Sequence, residues 1–320
     1  MKICITGASG FIGSKLCKTL IEKDLRIVAV SRNIENLKIH FNKNIDVVEL
    51  KDINENTDWS NALNGVECIV HCAARAHVLK DTSNNSLKKY RELNLYGTIN
   101  LFNQARENGV RKFIFISSIG VNGIFTENNK KFTYKDKPNP SENYALSKYE
   151  AEKFLLKKSR EWGIEVVIIR SPLVYGPGVK GNFLKLIYLV SSKIPLPIRN
   201  IKNLRSFIGL ENLIDLIVCC IFNPRAKRNI FLVSDDEQVS TPELIKRISN
   251  SLGKKKLLIP VPINFSRFLA NLFGKKKDYE RLANSLQIDI EYTKKTLNWS
   301  PPCSMKEELE KTAKWYLNES

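Results

Sequence analysis

Tyr144 and Lys148 stand four residues apart in YALSK, and Pro138 and Pro140 precede Ser141, a natural N-cap residue. One helix starting there would carry the phenol and the ammonium on one face. At about 4 Å and an effective dielectric near 20, the ammonium would favour phenolate by a few kcal/mol, about two to three pKa units. A phenol of pKa about 10 would then approach proton exchange near neutral pH. The same spacing is common on helices that do no chemistry. Ser117 and Ser118 end the apolar run 112–116. In a parallel sheet ligands lie at the carboxyl ends of the strands, so these hydroxyls would reach a site there or cap the next turn. Asn94 shares a helix face with Leu87, Tyr90 and Leu101. A buried amide there must be hydrogen-bonded, in a structural role or in a proton relay.

A second pattern lies at the start of the chain, where the strand-like KICIT runs into Gly7-Ala8-Ser9-Gly10-Phe11-Ile12-Gly13. Glycines at this spacing let backbone N–H groups and a helix N-terminus approach a pyrophosphate, although a bare strand-to-helix turn uses them too. Its place after the first strand favours the dinucleotide reading. A second strand that serves NAD usually ends in Asp or Glu, for the ribose 2′-hydroxyl. Here it ends Ser31-Arg32-Asn33, and Arg32 offers a guanidinium to a 2′-phosphate. NADP(H) is therefore the favoured cofactor and NAD the alternative.

The elements that must hold these residues follow a β-turn-α-β order. Apolar runs at 2–6, 26–30, 46–50, 67–72, 112–117 and 165–170 read as buried strands, separated by helical stretches, notably 86–108 and 142–162. Such alternation requires a doubly wound parallel sheet of Rossmann type with helices on both faces. Beyond Arg170 the pattern loosens, with helices expected at 241–252, about 264–273 and 304–317. The expected division is 1–170 plus about 207–234 for the dinucleotide domain. Residues 171–206 plus 235–320 would form a smaller, interleaved substrate lobe.

The chain has 320 residues, 43% of them hydrophobic and 26% charged, which excludes disordered and collagenous classes. Seven cysteines without a CxxC pair, with only His40, His71 and His77, argue against a metal site and for a reducing compartment. No apolar run reaches the roughly 18 residues of a membrane span, and a strand begins at Lys2, so a cytoplasmic enzyme is expected. The net charge of +18 reads as a solvated lysine-rich surface. Its short clusters, at 130–131, 254–256 and 275–277, lack interleaved aromatics, so no nucleic-acid partner is expected.

GASGFIG, the strand-ending Ser117-Ser118, YALSK and RSPLVYGPG together resemble the extended short-chain dehydrogenase/reductases, in the nucleotide-sugar branch around UDP-sugar 4-epimerases. The resemblance runs from Lys2 nearly to the C-terminus. It implies Ser118, Tyr144 and Lys148 as catalytic residues, with Asn94 in support. It implies cofactor contacts at Gly7, Gly10, Phe11, Ile12, Gly13, Arg32, Asp52, Ile53, Ala73 and Ala74, as well as Tyr144 and Lys148. Contacts to a UDP-sugar fall on Asn182, Phe183 and Arg205, and a homodimer is compatible with the branch. Segments 71–78, 174–186, 231–245 and 285–289 are similar to 4-ketoreductases that finish UDP-2-acetamido-2,6-dideoxyhexoses for surface polysaccharide. Residues 285–289 stand where classical epimerases carry an Arg-x-Gly-Asp type contact.

Departures from the branch discriminate within it. Related 4,6-dehydratases carry Asp-Glu after the catalytic hydroxyl, whereas Ser118 is followed by Ile119-Gly120. That argues against dehydration. An epimerase holds NAD through oxidation and re-reduction, and a reductase gives up hydride once from NADPH. Arg32 therefore favours a UDP-4-keto-6-deoxy-2-acetamido sugar reductase over the alternative, a UDP-sugar 4-epimerase. A non-catalytic dinucleotide-binding protein would not need Ser118, Tyr144 and Lys148 together. Finally, Phe265, Phe268, Leu269, Leu272 and Phe273 recur at helical spacing before Gly274 and the lysines at 275–277. The stripe is expected to pack into the lobe, with membrane contact at most transient.

Overall fold

A computed structural model describes residues 1–37, 44–76, 86–127, 130–272, 274 and 276–319. Of the residues singled out above, His40, His77, Val78, Phe273 and Lys275 lie outside that description, as do the side chains of Leu269 and Lys277. The first half runs β1 (Lys2–Thr6), α1 (Phe11–Glu22), β2 (Arg26–Ser31), β3 (Ile45–Glu49), α2 (Ser60–Leu63), β4 (Cys68–His71), α3 (Ser86–Arg91), α4 (Thr98–Glu107), β5 (Lys112–Ser118), α5 (Asn143–Trp162) and β6 (Glu165–Ser171). The remainder runs β7 (Val174–Tyr175), α6 (Gly181–Ser191), β8 (Arg205–Ser206), β9 (Ile208–Gly209), α7 (Leu210–Phe222), β10 (Asn229–Leu232), β11 (Gln238–Val239), α8 (Thr241–Ser251), α9 (Ile263–Leu272), α10 (Lys276–Ala283), α11 (Glu291–Leu297) and α12 (Met305–Glu319).

Seven strands form one sheet in the order β10-β6-β5-β4-β1-β2-β3, and every pairing is parallel. Both faces are covered, so the strands are almost continuously apolar. Ile3 and Ile5 join a core with Leu16 and Leu20 of α1 and Leu213 and Ile217 of α7. Cys4 turns to the other face, whose core includes Leu63, Phe102 and Leu155. The chain winds outward through β2 and β3, then returns to β4 on the other side of β1. Such a reversal of strand order falls between β1 and β4, and doubly wound sheets bind ligands outside the carboxyl ends of the strands at that point.

Three local expectations are corrected. The helix read across 86–108 is interrupted by a π-helical turn at Glu92–Gly97. The Thr98 hydroxyl donates to the Asn94 carbonyl, 2.8 Å away, and Gly97 lets Ile53 pack so close that a Cβ would meet its Cγ2 at 2.8 Å. Ser141 is not the cap of α5; Glu142 holds that position, and its carbonyl accepts from the Leu146 N–H. The stripe on α9 does not pack into the core: Phe265, Phe268 and Leu272 are exposed, and Ser266 is the side chain turned inward. A third core forms instead from α6, α8 and α12, with Phe183, Ile187, Ile245 and Leu309 buried together.

Candidate active site

The glycine turn leaves no room for side chains. Gly7 has φ +68°, and a Cβ on it would come within 2.9 Å of the Ala73 nitrogen, where the chain leaves β4. A Cβ on Gly13 would lie 2.2 Å from the Gly7 carbonyl oxygen. Gly10 caps α1 without a side-chain acceptor, and no acid occupies the first helical turn. The N–H groups of Phe11, Ile12 and Gly13 are therefore left for an anion, and the cradle fits a pyrophosphate. At its edge the Ser31 hydroxyl lies 2.8 Å from Ser9 Oγ and from the Asn33 carbonyl oxygen, and Arg32 is exposed. Asp52 is exposed, Ile53 packs on Gly97, and the Ala73 N–H donates to Thr6 Oγ1 at 3.2 Å. Ala74, the next residue, is half-buried.

Ser118 ends β5, and its Oγ accepts from the Gly120 N–H at 3.1 Å, so the hydroxyl also caps the following turn. Tyr144 sits in the first turn of α5, edge-on to Tyr90 with ring centroids 6.1 Å apart. Lys148, one turn further, is 1% exposed. Its ammonium donates to the Ile116 carbonyl at 2.9 Å and lies 4.3 Å above the Phe115 ring. The expected lowering of Tyr144 by Lys148 is not found in this chain. Burial, with a smaller push from Tyr90, raises the phenol to about 12. The reason is that Lys148 reaches towards β5 instead of the phenol. Burial lowers the Lys148 ammonium to about 8, against the opposing influence of Cys72 and Glu152. Asn94 is fully buried; it accepts from the Arg75 N–H at 2.9 Å and donates to the Ser147 hydroxyl at 3.1 Å.

Two buried networks escaped sequence reasoning. His71 lies between Thr6 Oγ1, at 2.7 Å from Nδ1, and Thr98 Oγ1, at 3.0 Å from Nε2. Burial, reinforced by nearby Lys148, holds its pKa down to about 3, so the ring is neutral and joins β1, β4 and α4. Behind β5, the Arg170 guanidinium holds Glu152 at 2.6 Å and Asn122 Oδ1 at 2.9 Å, and Glu152 accepts from the Ser117 hydroxyl. This pair braces the turn that follows Ser118. Glu152 stands four residues after Lys148, and that helical spacing was the available signal.

The substrate-side residues are split. Asn182 and Phe183 lie in the first turn of α6, whose N-cap, Lys180, makes no side-chain cap. The Phe183 side chain is fully buried and stacks on Tyr175 with centroids 5.1 Å apart, so only its main chain is free to meet a ligand. Arg205 is half-buried in β8, donates to the Arg281 and Asn284 carbonyls at 2.6 and 2.9 Å, and is lowered to about 10 by burial and then by Arg281. Residues 285–289 serve as pairing strand: Ser285 and Gln287 accept from Thr126 and Phe132, and the Phe132 carbonyl accepts from Asp289. Among the described residues no three His, Cys, Asp or Glu side chains gather as metal ligands, and no helix is long and apolar enough to cross a membrane.

The model of the NAD dependent epimerase/dehydratase family matches residues 3–234. The chain belongs to that family. Among its relatives is UDP-glucose 4-epimerase of Vibrio cholerae, 44% identical over 98% of this chain and 95% of that one. N-acetyl-alpha-D-glucosaminyl-diphospho-ditrans,octacis-undecaprenol 4-epimerase of Escherichia coli O157:H7 is 27% identical over 86% of this chain and 81% of its own. In fold, the family member superposes on UDP-glucuronic acid 4-epimerase from Bacillus cereus, solved with UDP-glucuronic acid and NAD. That match has a TM-score of 0.81 and 23% identity, with full coverage of both chains.

Proposed function

We propose that the chain inverts the configuration at C4 of a UDP-linked hexose, with NAD as its resident dinucleotide. The observation that carries this reading is a glycine turn with room for no side chain after β1, together with Ser118 at the end of β5 and Tyr144 and Lys148 one turn apart at the start of α5. Lys148 acts electrostatically on Cys72, whose neighbour Ala73 abuts Gly7. The 44% identity to a protein named UDP-glucose 4-epimerase supports it along nearly the whole chain. Ile119-Gly120 after Ser118 supplies no acid for dehydration.

When bound, with its pyrophosphate on the N–H groups of Phe11, Ile12 and Gly13, NAD would supply a hydride acceptor for the hydrogen on C4 of the hexose and a donor for its return. Tyr144 takes the proton of the C4 hydroxyl and later gives it back. Ser118 donates a hydrogen bond to the same oxygen, where charge develops. Lys148, whose ammonium donates to the Ile116 carbonyl here, would hold the cofactor ribose, and a positive charge there would oppose the rise that burial imposes on the phenol. Asn94 ties the α3–α4 segment to α5 through Ser147. The main chain at Asn182 and Phe183, with Arg205, holds the diphosphate while the hexose turns.

A second reading, reduction of a UDP-4-keto-6-deoxy-2-acetamido sugar by NADPH, is favoured by Arg32 standing exposed at the end of β2 without a carboxylate among residues 31–33. One experiment separates the two. Purified protein is incubated with UDP-glucose or UDP-N-acetylglucosamine without added reductant, and products are followed by NMR. The 4-epimer should accumulate to equilibrium with no net change in NADH. Stoichiometric NADPH oxidation with the 4-keto sugar, and no epimer from either UDP-hexose, would replace the first reading by the second.

A further inference from the structure

The apolar face of α9 has an unusual setting. Phe265, Phe268 and Leu272, at i, i+3 and i+7, are 54%, 61% and 67% exposed, and Ile263 precedes them at 41%. The helix is fixed from behind, where the buried Ser266 hydroxyl donates to the Pro197 carbonyl. The same platform includes residues 194–199, which exchange hydrogen bonds with 257–259 through Leu196 and Arg199. There Leu196 and Leu258 point inward, while Ile194 and Leu257 are 65% and 63% exposed. The helix and the bridged segments that the same platform holds thus each offer large side chains to the outside, although a single exposed Leu or Phe would need no explanation.

Charge identifies what fits. From 181 to 210 and from 253 to 277 the chain carries twelve Lys or Arg and no Asp or Glu. Lys254, Lys255 and Arg267 are exposed beside the apolar side chains. A second copy of the chain would bring the same excess of positive charge against itself, which a shared apolar face must overcome. A nucleic acid would meet the cations and could stack on Phe265 and Phe268, but it would gain little from the aliphatic Ile194, Leu257, Ile263 and Leu272 that make up the rest of the face. An anionic bilayer suits both features, because apolar side chains enter the acyl boundary while the cations meet headgroups. We infer that α9 and the adjoining 194–199 and 257–259 form a reversible docking surface for an anionic phospholipid membrane. α9 leads into α10, whose Arg281 carbonyl accepts from Arg205, so docking sets the lobe that would hold substrate close to the lipid surface.

Vesicle flotation tests the inference. Full-length protein is mixed with phosphatidylcholine vesicles, with or without about one third phosphatidylglycerol. Protein should float with the anionic vesicles in about 0.1 M salt, should stay behind with neutral ones, and should lose at least about tenfold in apparent affinity in about 1 M salt. Phe265→Asp/Phe268→Asp/Leu272→Asp and, separately, Lys255→Glu/Arg267→Glu should each abolish flotation while keeping the wild-type unfolding temperature within about 2 °C. Failure of the wild type to float at low salt would overturn the inference. So would flotation unaffected by either well-folded variant, or an apolar variant that instead splits a dimer of a wild type that never binds vesicles.

Discussion

Burial acts on Tyr144 and Lys148 in opposite senses, taking the phenol up to about 12 and the ammonium down to about 8. Each shift disfavours the charged form, and the proposed chemistry needs both charges. A bound ribose that draws Lys148 away from the Ile116 carbonyl would let the two groups oppose these shifts together. Tyr144→Phe should therefore lower kcat by about 10²–10⁴-fold while NAD affinity, read by titration calorimetry, stays within about twofold, since the ring packing on Tyr90 survives. For Lys148 the folded pKa is depressed, so its ammonium is lost as pH rises through about 8. NAD affinity should weaken from pH 7 to pH 9 in the wild type and be weaker and flat in Lys148→Met. A flat wild-type profile would show that the ammonium does not hold the cofactor. The position of Ser118 at the end of a strand, and of Tyr144 and Lys148 one turn apart on one helix, was legible in the sequence. The direction of the tyrosine shift was not, because it depends on which carbonyl a flexible lysine reaches and on the nearby Tyr90 ring.

Elements were legible where their periodicity is dictated by burial on two faces, as in β1 and β5, whose apolar runs match the observed strands within a residue. They were illegible where a tertiary contact overrides the local pattern. Inside the π-helical turn Asn94 reaches both Arg75 and Ser147, tertiary partners that nothing in its own segment announces. The glycine turn shows the difference in consequence. Gly13→Ala would set a Cβ 2.2 Å from the Gly7 oxygen, and backbone must move to relieve it. NAD affinity should fall by at least about tenfold. Gly163→Ala at the end of α5, with φ +77° but open space around it, should cost about 1–2 kcal/mol of stability and leave NAD binding intact. The brace behind β5 follows the same logic. Glu152→Gln leaves Arg170, 3% exposed, without its counter-charge and should cost about 3–5 kcal/mol in denaturant unfolding. The partly exposed Arg91–Glu150 pair should lose under about 1 kcal/mol in Glu150→Gln.

Across the whole molecule, the sequence shows a net charge of +18 but not the exposed apolar face it accompanies, because exposure is decided by which helices fill the third core. α6, α8 and α12 fill that core and leave α9 outside it. A buried polar cluster that joins β7, β9 and α7 centres on Asp235. Its Oδ1 accepts from the Gly209 N–H at 2.8 Å and from Asn212 at 2.7 Å, and its Oδ2 accepts from the Tyr175 hydroxyl at 2.8 Å. Burial raises this carboxyl from 3.8 to about 6, against those three hydrogen bonds and with a further push from Glu308. The folded chain therefore keeps a proton that the unfolded chain has released, and stability falls as pH rises from about 4 to about 6. Above that window the ionised carboxylate remains a fixed cost. Asn at this position can keep every partner, with Oδ1 accepting as before and Nδ2 donating to the Tyr175 oxygen. Asp235→Asn should raise the unfolding temperature relative to wild type by several degrees more at pH 7.5 than at pH 4.5, the shift expected from about one to two pKa units in a chain of this size. Calorimetric scans at the two pH values decide it. An equal effect at both would mean that the junction depends on the shape of the side chain and not on its charge.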